Sequence, residues 1–195
     1  RAIEIEPENA GAYANRGSAY DGQGNIDQAI SDYTRAIEID PTLAEAYYNR
    51  GNTYYNQGNY AQAVSDYSKA IDINPNDATM YFNRGRSFYN QNNYAQAIAD
   101  YTQAIAIDPA YTKAYYSRGY AYDDQKNYTQ AIADYTKAIE LDPKDAVAHN
   151  NRSISHYWEK DYDSAWADAH KAEELGYTVN PDYLSHLKKD SGRDK

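Results

Sequence analysis

Proline recurs at residues 7, 41, 75, 109 and 143, each 34 residues after the last. Each stands directly behind an acidic or amide residue: Glu6, Asp40, Asn74, Asp108 and Asp142. The segment Arg-Ala-Ile-Glu-Ile-Asp-Pro over 35–41 returns with small changes over 69–75, 103–109 and 137–143. A unit of this length cannot bury an apolar face alone, so such units stack and share a continuous core. Taking units to begin at residues 10, 44, 78, 112 and 146 exposes a set of nearly constant columns.

Position 4 carries Tyr13, Tyr47, Tyr81 and Tyr115, then His149. Position 8 is small throughout: Gly17, Gly51, Gly85, Gly119 and Ser153. Position 11 holds Tyr20, Tyr54, Phe88, Tyr122 and His156. Positions 20 and 27 are alanine in all five units, and position 24 is Tyr33, Tyr67, Tyr101 and Tyr135, then Ala169. Positions 4, 8 and 11 share one helical face, as do 20, 24 and 27. Two helices can then approach closely through small residues while aromatics fill the space around the contact. Between them lies a polar turn such as Gln57-Gly58-Asn59-Tyr60, where glycine or asparagine permits a left-handed residue. Proline stops the second helix, and Asn9, Asp77 and Asp145 stand where the next first helix needs an N-cap.

Over about residues 10 to 177 this pattern resembles the tetratricopeptide repeat (TPR) family. The resemblance implies an all-α, right-handed solenoid of helix–turn–helix units. They would span 10–43, 44–77, 78–111 and 112–145, with a degenerate fifth at 146–179. One departure is systematic: the family's usual leucine at position 7 is arginine in every unit. Residues 1–9 match the end of a second helix whose first helix is missing, as in a piece of a longer protein, and 180–195 read as a capping helix with a polar tail. Ala2, Ile3 and Ile5 would leave the N-terminal end open to stacking on another copy.

The chemistry of catalysis is hard to find. There is no cysteine, which removes thiolate metal sites and cysteine nucleophiles. His149 and His156 lie two helical turns apart, about 10 Å by helix rise, too far for one metal, and they occupy aromatic core columns. No calcium loop, phosphate-binding glycine loop or nucleophile elbow is present. The net charge of −10 argues against nucleic acid, and no apolar run approaches the roughly 20 residues that cross a bilayer. We therefore expect no enzyme activity, no cofactor and no metal, and a protein or peptide as partner.

In the family, first helices line a concave groove, and positions 2, 5, 6, 9, 12 and 13 face it. Of the 24 tyrosines, Tyr48, Tyr116, Tyr120, Tyr55, Tyr89 and Tyr157 fall on positions 5, 9 and 12. Tyrosine offers wide contact with few rotors, so these rings, with Phe82, suit a recognition surface; equally, some would pack between neighbouring first helices. Position 6 holds Asn15, Asn49, Asn83 and Asn151, with Ser117 interrupting. A carboxamide pairs with both groups of a peptide backbone, and the row resembles the asparagine ladder in the TPR region of O-linked N-acetylglucosamine transferases. The alternatives for these amides are plain surface polarity or a hydrogen bond to the next repeat. Asn52, Asn83 and Lys113 match part of the carboxylate clamp of TPR cochaperones, with Arg86 as a nearby cation. Tyr48 and Ser117 replace two of its three basic residues. Glu45, Asp21, Asp123 and Asp124 are further variable sites expected to set specificity. The rival readings are a self-assembling spacer and the regulatory arm of a larger enzyme.

The position-7 arginines, Arg16, Arg50, Arg84, Arg118 and Arg152, run parallel to an invariant position 23: Asp32, Asp66, Asp100, Asp134 and Asp168. Both columns border the core, so each charge needs a partner. An arginine–aspartate pair between the two helices of each unit is expected, with pairing to a neighbouring unit as the second choice.

Overall fold

The computed structural model describes residues 8–193, which contain eleven helices and no strand. They fall into two compact units, one through Ile107 and one from Asp108 onward. The first unit contains α1 (Ala10–Gly22), α2 (Ile26–Ile39), α3 (Ala44–Asn56), α4 (Tyr60–Ile73), α5 (Ala78–Asn90) and α6 (Tyr94–Ile107). The second contains α7 (Thr112–Asp124), α8 (Tyr128–Leu141), α9 (Ala146–Trp158), α10 (Tyr162–Glu174) and α11 (Pro181–Asp190). The N-terminal remnant with Ala2, Ile3 and Ile5, apart from Glu8 and Asn9, lies outside the described residues, as do the last two residues of the tail.

Every first helix ends in the same turn. The backbone N–H five residues on closes back to the carbonyl at position 11, as in Asn25 to Tyr20 and Asn59 to Tyr54, both at 2.9 Å. This 6→1 bond needs a left-handed residue before it. Gly24 and Gly58 supply it at φ +78°, and Asn92 at +59°. In the next two hairpins the residue is Lys126 (+58°) and Lys160 (+64°), where turn chemistry calls for glycine or asparagine. At the other end, the residue before proline is extended, as at Asp40 (φ −132°, ψ 93°), because proline clashes with a helical predecessor. Asn9, Asp77 and Asp145 accept hydrogen bonds from the first-turn amides of α1, α5 and α9.

Within each hairpin the packing is set by one contact. A Cβ on Gly51 would lie 2.9 Å from the ring of Tyr67, and one on Gly85 would lie 2.8 Å from that of Tyr101. Glycine at position 8 therefore exists so that the position-24 ring can lie flat against the first helix. Tyr33, Tyr67, Tyr101 and Tyr135 are at most 2% exposed, and the alanines of positions 20 and 27 are fully buried. The rings of position 4, read as core from the sequence, are half-buried, and Tyr13, Tyr47 and Tyr81 pack against the buried clusters of alanine, Ile71 and Met80. They also support the position-7 arginine: guanidinium carbons stand 5.3 to 6.0 Å from the ring centres of Tyr13, Tyr47, Tyr81 and Tyr115.

In the last hairpin Ser153 replaces the glycine and Ala169 the tyrosine. The missing ring is supplied from α11. Tyr183 places its hydroxyl 2.6 Å from Ser153 Oγ, and Leu187, fully buried, packs with Ala165 and Ala169.

Candidate peptide-binding face

The first helices carry the residues singled out for recognition, and in the first unit α3 touches both α1 and α5. Three amide–hydroxyl bonds recur across repeats. Asn83 Nδ2 donates to the Tyr48 hydroxyl at 3.0 Å, and Asn90 Nδ2 to the Tyr55 hydroxyl at 3.0 Å. In the second unit Asn151 Nδ2 donates to the Tyr116 hydroxyl at 2.8 Å. Each spans 35 residues, so an amide of one repeat holds the phenol of the repeat before it. Asn49 approaches Ser18 Oγ at 3.5 Å, and Asn15 is exposed. The position-6 amides thus spend part of their capacity on the preceding repeat. Asn83 keeps its side-chain Oδ1 clear of any hydrogen bond among the described residues, while its backbone carbonyl accepts from Ser87.

The rings divide. Tyr48 is half-buried and tilts against Tyr67 at 5.9 Å, while Tyr55 and Tyr89 lean on Tyr60 and Tyr94 at 5.4 Å. Phe82 is 7% exposed and packs on Tyr101 at 5.7 Å, so it offers a ligand little more than an edge, unlike the open apolar contact expected from its column. In the second unit Tyr116 stacks with Tyr120, 6.4 Å away at 18°, and Tyr120 is 44% exposed. Burial keeps these phenols protonated: Tyr116 is pushed up to about 12, and Tyr67, Tyr101 and Tyr135 are raised further by the same cause.

The variable acids are partly engaged in the frame. Asp123 accepts from the hydroxyls of Tyr135 and Ser155, both at 2.7 Å, and burial raises its carboxyl above the usual range. Asp21 accepts from Thr53 at 3.2 Å. Asn52, one of the clamp-like residues, gives its oxygen to the Tyr67 hydroxyl at 2.7 Å, and Lys113 is exposed. Glu45 is exposed as well.

The position-7 arginines lie on the position-23 aspartates of their own hairpins. Arg50 reaches Asp66 through Nε and Nη2, both at 2.8 Å, and the two-bonded geometry repeats for Arg16–Asp32, Arg84–Asp100, Arg118–Asp134 and Arg152–Asp168. A third arm was not anticipated. Nη1 of Arg50, Arg84 and Arg152 donates to Thr34, Ser68 and Thr136 of the preceding repeat at 2.8 to 3.1 Å. The hydroxyl column at position 25, Thr34, Ser68, Thr102 and Thr136, was the available signal for it. Asp168 also takes Nδ1 of the buried His149 at 3.0 Å. Among the described residues no group of three histidines or acids is placed to hold a metal, and no helix is long and apolar enough to cross a membrane.

Comparison with known proteins gives the chain its family. Models described as Tetratricopeptide repeat match residues 1–31, 44–77 and 82–146, and one described as TPR repeat matches 22–58. No curated protein sequence matches. Among solved structures, YrrB, described as a TPR protein with an unusual peptide-binding site, superposes with a TM-score of 0.81 at 22% identity, covering 98% of this chain and 96% of its own. A MamA protein gives 0.83 at 25% identity, covering 90% and 100%. PilF of Pseudomonas aeruginosa gives 0.76 at 23%, covering 95% and 86%. These likenesses carry the fold, an all-helical solenoid type used generally as a protein-interaction scaffold. With the constant columns, the hairpins they build and four matching stretches in agreement, the chain belongs to the tetratricopeptide repeat family.

Proposed function

We propose that the protein is a binding module, not an enzyme, and that the first-helix face captures a peptide segment of a partner protein. The observation that carries the reading is the set of cross-repeat bonds from Asn83, Asn90 and Asn151 to the hydroxyls of Tyr48, Tyr55 and Tyr116. Large amphipathic rings held in place before a ligand arrives lose little freedom on binding, about 0.5 to 1.5 kcal/mol less per side chain than free ones. Backbone capture in the first unit would use the amides that retain acceptor or donor capacity, Asn15, Asn49 and Asn83, with Tyr48, Tyr55 and Tyr89 as contact surface. YrrB, a protein of the same fold, is described as having a peptide-binding site, which supports the general mode.

The test is selection of a displayed peptide library on the intact protein, then titration calorimetry with the best binder. Replacing Asn49 and Asn83 with alanine should weaken binding by about 1 to 3 kcal/mol, the cost of lost hydrogen bonds in a desolvated contact. A double variant with native circular dichroism and unchanged affinity would remove the reading.

A further inference from the structure

Between α9 and the segment that joins α10 to α11 lies an open pocket of about 600 Å³, within the roughly 300 to 1,000 Å³ of ligand sites. From α9 it is lined by Asn150 and Ile154, at positions 5 and 9, the columns that hold Tyr116 and Tyr120 one repeat earlier. Val179, Pro181 and the rings of Tyr177 and Tyr183 line the other side. The Tyr177 phenol acts electrostatically on that of Tyr116, which places the pocket beside the first-helix face of this unit.

Asn150 is 6% exposed, and a relay orients its amide. Its Nδ2 donates to Asn151 Oδ1 at 3.2 Å, and Asn151 Nδ2 donates in turn to the Tyr116 hydroxyl at 2.8 Å. Oδ1 of Asn150 is the atom left over, and it accepts no hydrogen bond among the described residues. No fully enclosed polar side-chain atom among them lacks a partner, so this oxygen opens outward, and the pocket is the space that Asn150 lines. A nearly buried carbonyl oxygen without a donor is costly, and a ligand that brings one removes the cost.

The surroundings set the kind of donor. No lysine or arginine lines the pocket, and its single charged residue is Asp182. The start of α11 offers nothing to an anion. Pro181 has no N–H, Asn180 Oδ1 accepts from the amides of Asp182 and Tyr183 at 2.8 and 3.4 Å, and the Asn180 carbonyl accepts from Leu184. The apolar walls suit an aliphatic stem, and tyrosine rings favour a cation beside them.

We infer that this pocket receives a lysine side chain of the bound segment, its ammonium donating to Asn150 Oδ1 and balanced by Asp182, its methylenes lying along Ile154, Val179 and Pro181. This rests on the first-helix face being the peptide-binding surface. An ammonium carries three donors and no acceptor, which matches an open amide oxygen and a carboxylate. A chain with 29 acids against 19 bases adds a field of the same sign.

The intact protein is titrated with an alanine peptide blocked at both ends and carrying one central lysine. Its norleucine and Nε-acetyl-lysine counterparts, an all-alanine peptide with a free N-terminus, and spermidine are titrated in parallel. The Asn150 side-chain amide and the Tyr177 ring signals are followed by NMR. Saturable shifts are expected with the lysine peptide. The norleucine and acetylated forms keep the stem and lose the charge, and should bind about tenfold more weakly or less. Asn150→Leu, of similar volume, should abolish the Tyr177 shifts. Asp182→Asn, at an exposed position, should weaken binding about two- to fivefold and reduce its dependence on salt. It keeps the test open where Asn150→Leu does not fold. No saturable shift with the lysine peptide, equal shifts with the acetylated form, or tighter binding of the free N-terminus or spermidine would each overturn the lysine site. So would unaltered binding to folded Asn150→Leu or to Asp182→Asn. None of these would touch the reading of the face, whose test is the loss of peptide affinity on replacing Asn49 and Asn83.

Discussion

Replacing Arg50 with alanine would strand the Asp66 carboxylate, whose side chain is 7% exposed and which receives two 2.8 Å bonds from the guanidinium. The arginine side chain is itself 17% exposed, and its third arm holds Thr34 of the preceding repeat at 2.8 Å. An anion left buried without its donors costs about 3 to 5 kcal/mol, against about 0 to 1 for an exposed ion pair. The equivalent Arg16 is 44% exposed above an Asp32 of similar burial, at 8%. Water can enter where that guanidinium was, so Arg16→Ala should cost roughly 1 to 2 kcal/mol on the same reasoning. Replacing both partners at once, Arg50→Met with Asp66→Leu, removes the orphaned charge and should recover most of the loss. The assay is urea denaturation followed by circular dichroism, since urea does not screen charge. Repeat arrays can depart from two-state unfolding, so the curves are fitted to a nearest-neighbour scheme. A cost for Arg50→Ala no larger than about 1 kcal/mol, equal costs at Arg16 and Arg50, or a double variant no better than the single would refute the argument.

Lys126→Gly should raise the melting temperature by relieving a left-handed residue worth about 1 to 2 kcal/mol, less what glycine adds to the flexibility of the unfolded chain; Gly58→Lys should lower it. Gly85→Ala should destabilise in a thermal melt: its Cβ would meet the Tyr101 ring at 2.8 Å, and overpacking of about 1 to 3 kcal/mol exceeds the helix gain of about 1. Burial lowers the His156 imidazole below its ordinary 6.5, with Asp161 at 3.3 Å only partly opposing. A depressed histidine contributes stability that is present above 6.5 and lost as pH falls through its folded value. His156→Phe, the residue type of Phe88 in the same column, should therefore lose less melting temperature than the parent between pH 7.5 and pH 5, and equal losses would count against the sign.

Much of the fold is legible because each hairpin repeats the same few steric facts. Glycine at 8, tyrosine at 24 and alanine at 20 and 27 lie within one repeat, and four copies of a local pattern leave little freedom in its reading. The aspartate-before-proline stop and the Asn9, Asp77 and Asp145 caps are local too. The left-handed lysines at 126 and 160 are not legible from residue type, because the 6→1 bond of the hairpin overrides the preference against them. The bonds from Asn90 to Tyr55 and from Asn83 to Tyr48 were equally hidden. They join variable columns of different repeats, and which atoms meet depends on how one hairpin rotates against the next.

Position 9 is where the constant frame meets the variable face. The frame demands an acceptor for a phenol that the packing of position 24 cannot avoid burying, and the first helix can supply one at that position. Ser18 and Asn52 do so, and in doing so they withdraw their own oxygen from any ligand. In the fourth repeat position 9 is Tyr120, and Asp123, three residues on, accepts the Tyr135 hydroxyl, which offsets part of the rise that burial imposes on its carboxyl. Arg86 answers the demand with the opposite polarity and leaves the phenol open. A frame repeated for packing therefore presents a buried phenol in the first four repeats, and one side chain decides whether its hydroxyl is given an acceptor. Variation at position 9 is thus a choice between satisfying the core phenol from within and leaving it without an acceptor, and the third repeat takes the second course.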